Sequence, residues 1–189
     1  TQCLCFSKKI RPVILKRIIQ QLFKNSRSSD NGIFFTEIEK ILGFKPLKIE
    51  IYEKAFIHRS TNKLDENGNA ISYERLEFLG DAMLSSVIAA HLFKKVPTGD
   101  EGYLTIMRSK IVSREHLNEL GRDLNLIQFI KSKVPSNHFG ENIHGNILEA
   151  LIGAIYLDRG YLFCEKFIQK RVLIPYVDIP KLEGKVISY

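Results

Sequence analysis

The chain has 189 residues, 44% of them hydrophobic, with 12 Gly and 6 Pro, which suits one domain with an ample core and excludes a fibrous repeat or a disordered tract. Its formal net charge of +7 favours a polyanionic partner without choosing between nucleic acid and a membrane surface. No apolar run reaches the roughly 18 residues of a membrane span, because Glu149 and Asp158 interrupt the longest one, so no membrane segment is expected.

In chain order, nearly every segment reads as helix. Pro12 suits the first turn of a helix over Arg11 to Asn25, where Val13, Ile14, Ile18, Leu22 and Phe23 recur near a 3.6-residue period. A polar loop follows from Ser26 to Gly32. Thr36 is expected to cap a short helix over Glu37 to Leu42, which Gly43 ends. Ile49 to Ile57 is a second short helix, and the polar stretch Asn62 to Ala70 is expected to be a mobile connection. A long helix runs from Tyr73 to Phe93, closed by Pro97 and Gly99. Glu101 to Ile111 and Ser113 to Leu124 are two more, the latter with Ser113 as N-cap. A short apolar piece (Leu126 to Ile130) and a loop through Pro135 and Gly140 lead to a second long helix, Asn142 to Leu157, and a last one, Leu162 to Leu173. Sustained alternation is nearly absent, and Asn67-Gly68 lies in a polar setting that suits a loop turn. The fold class expected is all-α, without internal repeats or heptads.

Cys3, Cys5 and Cys164 make no disulfide framework, and Cys3 and Cys5 lack the second pair a zinc site needs. The basic residues near the start (Lys8, Lys9, Arg11) are not followed by a signal peptide's apolar core and cleavage site. The expected compartment is a reducing cytoplasm.

Two helices carry chemistry. In Glu74-Arg75-Leu76-Glu77-Phe78-Leu79-Gly80-Asp81, the carboxylates of Glu74, Glu77 and Asp81 share an arc of roughly 60° at about 100° per residue. The same face turns apolar at Ile88 and Leu92, so the acidic stripe is expected to dip into a buried region. Carboxylates held together away from water raise one another's pKa or recruit a cation. In the second helix Glu149 stands alone among apolar residues, with Asn146 on its face three residues earlier. A lone buried carboxylate is costly unless it is paired, protonated or coordinated. Two resolutions are open: an ion pair with an arginine such as Arg75 or Arg108, or a contact between the helices that joins Glu149 to the stripe. The second would make an all-oxygen site suited to Mg²⁺, with Mn²⁺ as substitute, rather than zinc.

Together these motifs resemble the ribonuclease III family. The octapeptide Glu74 to Asp81 matches that family's signature at every position. Supporting matches are His58-Arg59-Ser60, Asp100-Glu101-Gly102 and Glu149-Ala150-Leu151-Ile152-Gly153-Ala154, and the resemblance spans roughly Leu42 to Leu173. It implies an all-α endonuclease domain that forms a homodimer and cleaves double-stranded RNA with Mg²⁺, with no small-molecule cofactor. By this resemblance Asp81 and Glu149 are the catalytic acids, and Glu77, Asn146 and Glu149 the metal ligands. Glu74 and Glu101 line the cleavage centre, and Phe78 packs into the partner subunit. Arg108, with Lys110 and Arg114, would hold RNA phosphates, while His58 is read as structural. The products implied carry a 5′-phosphate and a 3′-hydroxyl with two-nucleotide 3′ overhangs, as in rRNA and mRNA processing.

The chain departs from the family pattern at Asn146, where the family usually has Asp; the swap keeps an oxygen ligand and removes a charge. An active enzyme is favoured. The alternative is a weakened or inactive RNA-binding or ribosome-associated relative, and a helical bundle acting on small phosphorylated molecules ranks below both. The family commonly adds a double-stranded-RNA-binding domain. Here residues 1–180 read as the catalytic domain and 181–189 as the start of a linker, with that further domain absent from this chain; a piece of a longer protein is favoured over an enzyme lacking it.

Overall fold

The computed structural model describes residues 32–179. The expected helix over Arg11 to Asn25, the loop from Ser26 up to residue 31 and the linker over 181–189 lie outside them. The described residues form a first helix over 32–42 (α1), then α2 (Ile49–Lys54), α3 (Glu74–Lys95), α4 (Glu101–Ile111) and α5 (Arg114–Asp123). They continue with α6 (Ile143–Arg159), α7 (Tyr161–Ile168) and a short α8 (Ile174–Tyr176). Among the described residues there is no strand, and only two isolated bridges, Ile57 with Lys131 and Leu64 with Ala70. The all-α expectation holds.

α6 is the centre of the fold. Ile147, Leu148, Leu151, Ile152 and Ile155 are fully buried, and each such side chain contributes about 1.5–3 kcal/mol of apolar burial. α3 lies against α6 in the most extensive helix contact of the molecule, and α5 covers the next face. The approach of α3 and α6 is set by two glycines. A Cβ on Gly80 would stand 1.7 Å from the Glu149 carbonyl oxygen, and one on Gly153 would stand 2.2 Å from the Leu76 carbonyl oxygen. Only hydrogen at both positions permits this backbone-to-backbone crossing.

α3 has the length and apolarity to cross a membrane, which corrects the expectation that no segment does. It is a core helix here: Leu84, Ile88 and Leu92 on it are fully buried in the domain. At the far end of α6, Asp158 accepts hydrogen bonds from the Leu47 and Lys48 backbone N–H groups and from the Tyr52 hydroxyl, each at 2.9 Å. This ties the entry of α2 to the core.

Local signals set several boundaries. α4 runs as expected, and Ser113 caps α5, its Oγ accepting from His116 N at 3.3 Å. Gly43 ends α1 with a φ of +76°. Thr36 does not cap: it lies inside α1, and its Oγ1 donates back to the Gly32 carbonyl at 2.9 Å. α2 stops at Lys54, short of the expected Ile57. The stretch Asn62 to Ala70, expected to be mobile, is folded around Asp65. Oδ1 of Asp65 accepts from the Asn67 and Asn69 backbone N–H groups at 2.9 and 2.8 Å, so the side chain replaces a missing ladder. The last expected helix is interrupted by a π-helical stretch, Gln169–Leu173. The wide turn keeps Val172 and Leu173 buried while Arg171 donates to the Lys40 and Ile41 carbonyls at the end of α1.

Candidate active site

The crossing of α3 over α6 brings the two carboxylate motifs together. Glu149 faces the stripe from α6 and is 2% exposed. Burial pushes its carboxyl up to about 7; Arg114 opposes the shift, and Asp81 and Glu77 add to it by repulsion. Glu77 is half-buried, and burial raises it too, with Arg114 pulling the other way and Glu74 and Asp81 reinforcing the rise. These mutual effects join Glu77, Asp81 and Glu149 in one electrostatic cluster.

The stripe itself is more solvated than its periodicity implies. Glu74 and Asp81 are exposed, and only Glu77 turns inward. Glu74 opens α3, takes a hydrogen bond from Ser72 Oγ at 3.1 Å and stands 3.7 Å from Arg59. The face becomes buried only at Ile88 and Leu92. The stripe is therefore open to solvent at Glu74 and Asp81, with Glu149 buried on the helix beneath it.

Both resolutions read from the sequence for Glu149 are realised at once, with a different arginine. Neither Arg75 nor Arg108 pairs with it. The partner is Arg114, whose Nη1 lies 3.5 Å from Glu149 Oε2 and donates to Asn146 Oδ1 at 3.2 Å. Arg114 is the first residue of α5, where a cation opposes the helix dipole. That position against its own helix dipole is the one weak signal of Arg114 that the sequence carries. Asn146 also meets the Tyr73 phenol, which burial raises and the Asn146 hydrogen bond lowers.

Two predicted residues stand outside this cluster. Glu101 is exposed in the first turn of α4, where Oε1 accepts from Thr105 Oγ1 at 3.2 Å. Arg108 is half-buried in the last turn of the same helix. Neither is among the charges that shift Glu77 or Glu149. Phe78, in contrast, is 81% exposed and borders a cavity whose walls mix apolar residues such as Ile51, Leu79 and Leu157 with the charged Lys54, Asp65 and Arg75. His58 is an organiser: its Nδ1 accepts from Ser60 N at 3.2 Å, and Ser60 Oγ meets Ser132 Oγ at 2.9 Å, joining two loops.

Among the described residues, no three His, Cys, Asp or Glu side chains stand together in a group able to hold a metal ion. The donor chemistry nevertheless fits a hard divalent cation: Asn146 Oδ1 and Glu149 Oε2 both face one Arg114 nitrogen, and the buried Glu149 has only this half-exposed arginine to balance it. Glu77, Asn146 and Glu149 are the residues that would hold the ion, with Arg114 now lying among them.

Residues 48–176 match the protein family described as Ribonuclease-III-like. The chain is 71% identical over 171 residues to "Ribonuclease 3" of Flavobacterium psychrophilum, covering 90% of this chain and 70% of that protein. It is 68% identical over 165 residues to "Ribonuclease 3" of Zunongwangia profunda, covering 87% and 68%. Among solved structures, the nuclease domain of ribonuclease III from Campylobacter jejuni superposes with a TM-score of 0.65 at 29% identity, covering 74% of this chain and 96% of that one. A signature matched at every position, a site built from both of its acidic helices, and these similarities make the chain a member of the ribonuclease III family of endoribonucleases.

Proposed function

We propose that this chain hydrolyses double-stranded RNA in a Mg²⁺-dependent reaction, leaving 5′-phosphate and 3′-hydroxyl ends with two-nucleotide 3′ overhangs. One observation carries the reading: Glu77 and Asp81 on α3 act electrostatically on the buried Glu149 of α6, so the two acidic motifs form one site. Mg²⁺, when bound, supplies Lewis-acid activation of the attacking water and a positive charge for the departing 3′-oxygen. The protein's own residues do the rest. Glu149, carried on the most buried helix, presents its carboxylate from a fixed position. Half-buried Glu77 and exposed Asp81 add their charges from α3. Glu74, Glu101 and Arg108 are assigned to RNA contact outside the carboxylate cluster, in a basic chain that reads A-form backbone shape more than sequence.

The active form is read as a homodimer with two such sites on one RNA. The exposed Phe78 ring beside a partly apolar cavity supports this, and so does the description of the Campylobacter jejuni domain, which refers to a region involved in dimer formation. The cellular role that goes with this reading is processing of rRNA and mRNA precursors in the cytoplasm. The test is a 5′-labelled RNA duplex incubated with Mg²⁺ and either the wild type or Glu149→Ala. The wild type is expected to cut and the variant not to. Equal cutting by both would remove Glu149 from the mechanism, and cutting by neither would favour a non-catalytic RNA-binding relative, the reading that Asn146 allows.

A further inference from the structure

The site holds a cation of its own. Arg114 Nη1 is within 3.2 Å of Asn146 Oδ1 and 3.5 Å of Glu149 Oε2, the two oxygens that α6 offers to a metal. We propose that Arg114 is a tethered counter-cation that competes with a divalent ion for Asn146 Oδ1 and Glu149 Oε2 and must leave them before such an ion can load. The inference rests on the metal-dependent reading above and adds a competitor to it.

The geometry separates this role from that of a structural salt bridge. A structural partner for a buried carboxylate is bidentate and enclosed. Here one nitrogen contacts both acceptors, and the arginine side chain is 59% exposed while that of Glu149 is 3% exposed. Arg114 also sits in the first turn of α5, where the helix dipole disfavours it. It is held by one hydrogen bond to Asn146 and a 3.5 Å contact with Glu149, on a long stem that reaches solvent. An ion shared by Asn146 Oδ1 and Glu149 Oε2 would meet the guanidinium as a like charge at contact distance, so the two cations exclude each other. Asn146 strengthens the case: with a carboxamide in place of a carboxylate, the site carries one negative charge fewer to hold both.

The competition is visible without RNA or turnover. Isothermal titration calorimetry with MnCl₂ compares the wild type with Arg114→Ala, Arg114→Lys and Arg122→Ala. Arg122 lies on the same helix, is exposed and carries the same charge, but it makes no contact with Glu149. Removing the competitor is expected to tighten Mn²⁺ binding roughly two- to fivefold in Arg114→Ala, the scale of a half-exposed ion pair. Arg114→Lys should fall between, and Arg122→Ala should match the wild type. Unchanged or weaker binding in Arg114→Ala, or equal tightening in Arg122→Ala, would overturn the proposal while leaving the metal site standing. If no protein in the series, wild type included, takes up Mn²⁺, the metal-dependent reading fails and the competition falls with it.

Discussion

Gly80 and Gly153 touch where α3 crosses α6, and their missing side chains determine how near Glu77 and Asp81 come to Glu149. Each glycine faces the other helix's backbone: a Cβ on Gly80 would meet the Glu149 carbonyl, and a Cβ on Gly153 would meet the Leu76 carbonyl. The register of the active site is thus a packing property of the core, and stability and chemistry share one contact.

Gly80→Ala therefore tests both. Its methyl would need about 2 Å of helix separation or a local break to regain ordinary van der Waals distance. We expect a loss of about 3 kcal/mol or more, which in a domain of this size lowers Tm by about 6–12 °C. Differential scanning calorimetry reads the loss. A Tm within 2 °C of the wild type, on the order of the smallest shift a kcal/mol produces, would mean that the helices can part cheaply.

What was legible in the sequence follows from this. The helix over Glu101 to Ile111, the Ser113 cap and the stop at Gly43 are encoded locally, in periodicity and end residues, and appear where expected, whereas α2 ends three residues early and the last helix is broken at Gln169. The two acidic motifs were recognisable because an unbroken octapeptide and a carboxylate in an apolar helix are unusual in any context. Contacts made across the fold were not. Arg114 reaches Glu149 from a third helix, and no spacing along the chain favours it over Arg75 or Arg108. The order of the Asp65-centred loop comes from one side chain accepting two backbone N–H groups, which composition does not register. The stripe looked buried because periodicity shows which residues share a face, and leaves open whether a neighbouring helix covers its first turn.

The buried carboxylate makes stability depend on pH in a defined direction. Folding raises Glu149 from its ordinary value of 4.5 to about 7, so between those values the folded state holds a proton that the unfolded state has lost. Its contribution is fully present below 4.5 and is lost as pH rises through about 7. Glu149→Gln stays neutral throughout. In metal-free buffer with chelator, the variant should match the wild type near pH 4.5 and exceed its Tm by about 5–10 °C at pH 8. A constant gap across that range would show that Glu149 is charged in the fold at all these pH values.

Phe78 presents an 81% exposed ring beside the cavity bordered by Leu76, Leu79 and Leu157. An aromatic anchor seated in a pocket is worth about 2 kcal/mol or more at an interface, or roughly thirtyfold in Kd. Phe78→Ala should therefore shift sedimentation velocity profiles toward monomer at concentrations where the wild type is dimeric. Its thermal unfolding as a monomer should stay close to normal, since the ring supports nothing within its own subunit. An unchanged dimer would place the subunit contact elsewhere.

Asn146→Asp restores a carboxylate beside Glu149 and next to the Arg114 guanidinium. The new charge attracts both cations, and the sign of the outcome follows from their valence. A divalent ion gains twice the Coulomb energy that a guanidinium gains at the same distance, so the balance moves toward metal even as Arg114 is held more firmly. The Mg²⁺ concentration for half-maximal cleavage of an RNA duplex should fall roughly three- to tenfold, the range over which ligand charge tunes such sites. In chelator, the same substitution should lower Tm, because it adds a second acid beside one that burial already keeps near neutral pH. An unchanged Mg²⁺ requirement with a lowered Tm would mean that Asn146 serves the fold by limiting charge at the site, and that the carboxamide ligates as well as a carboxylate would.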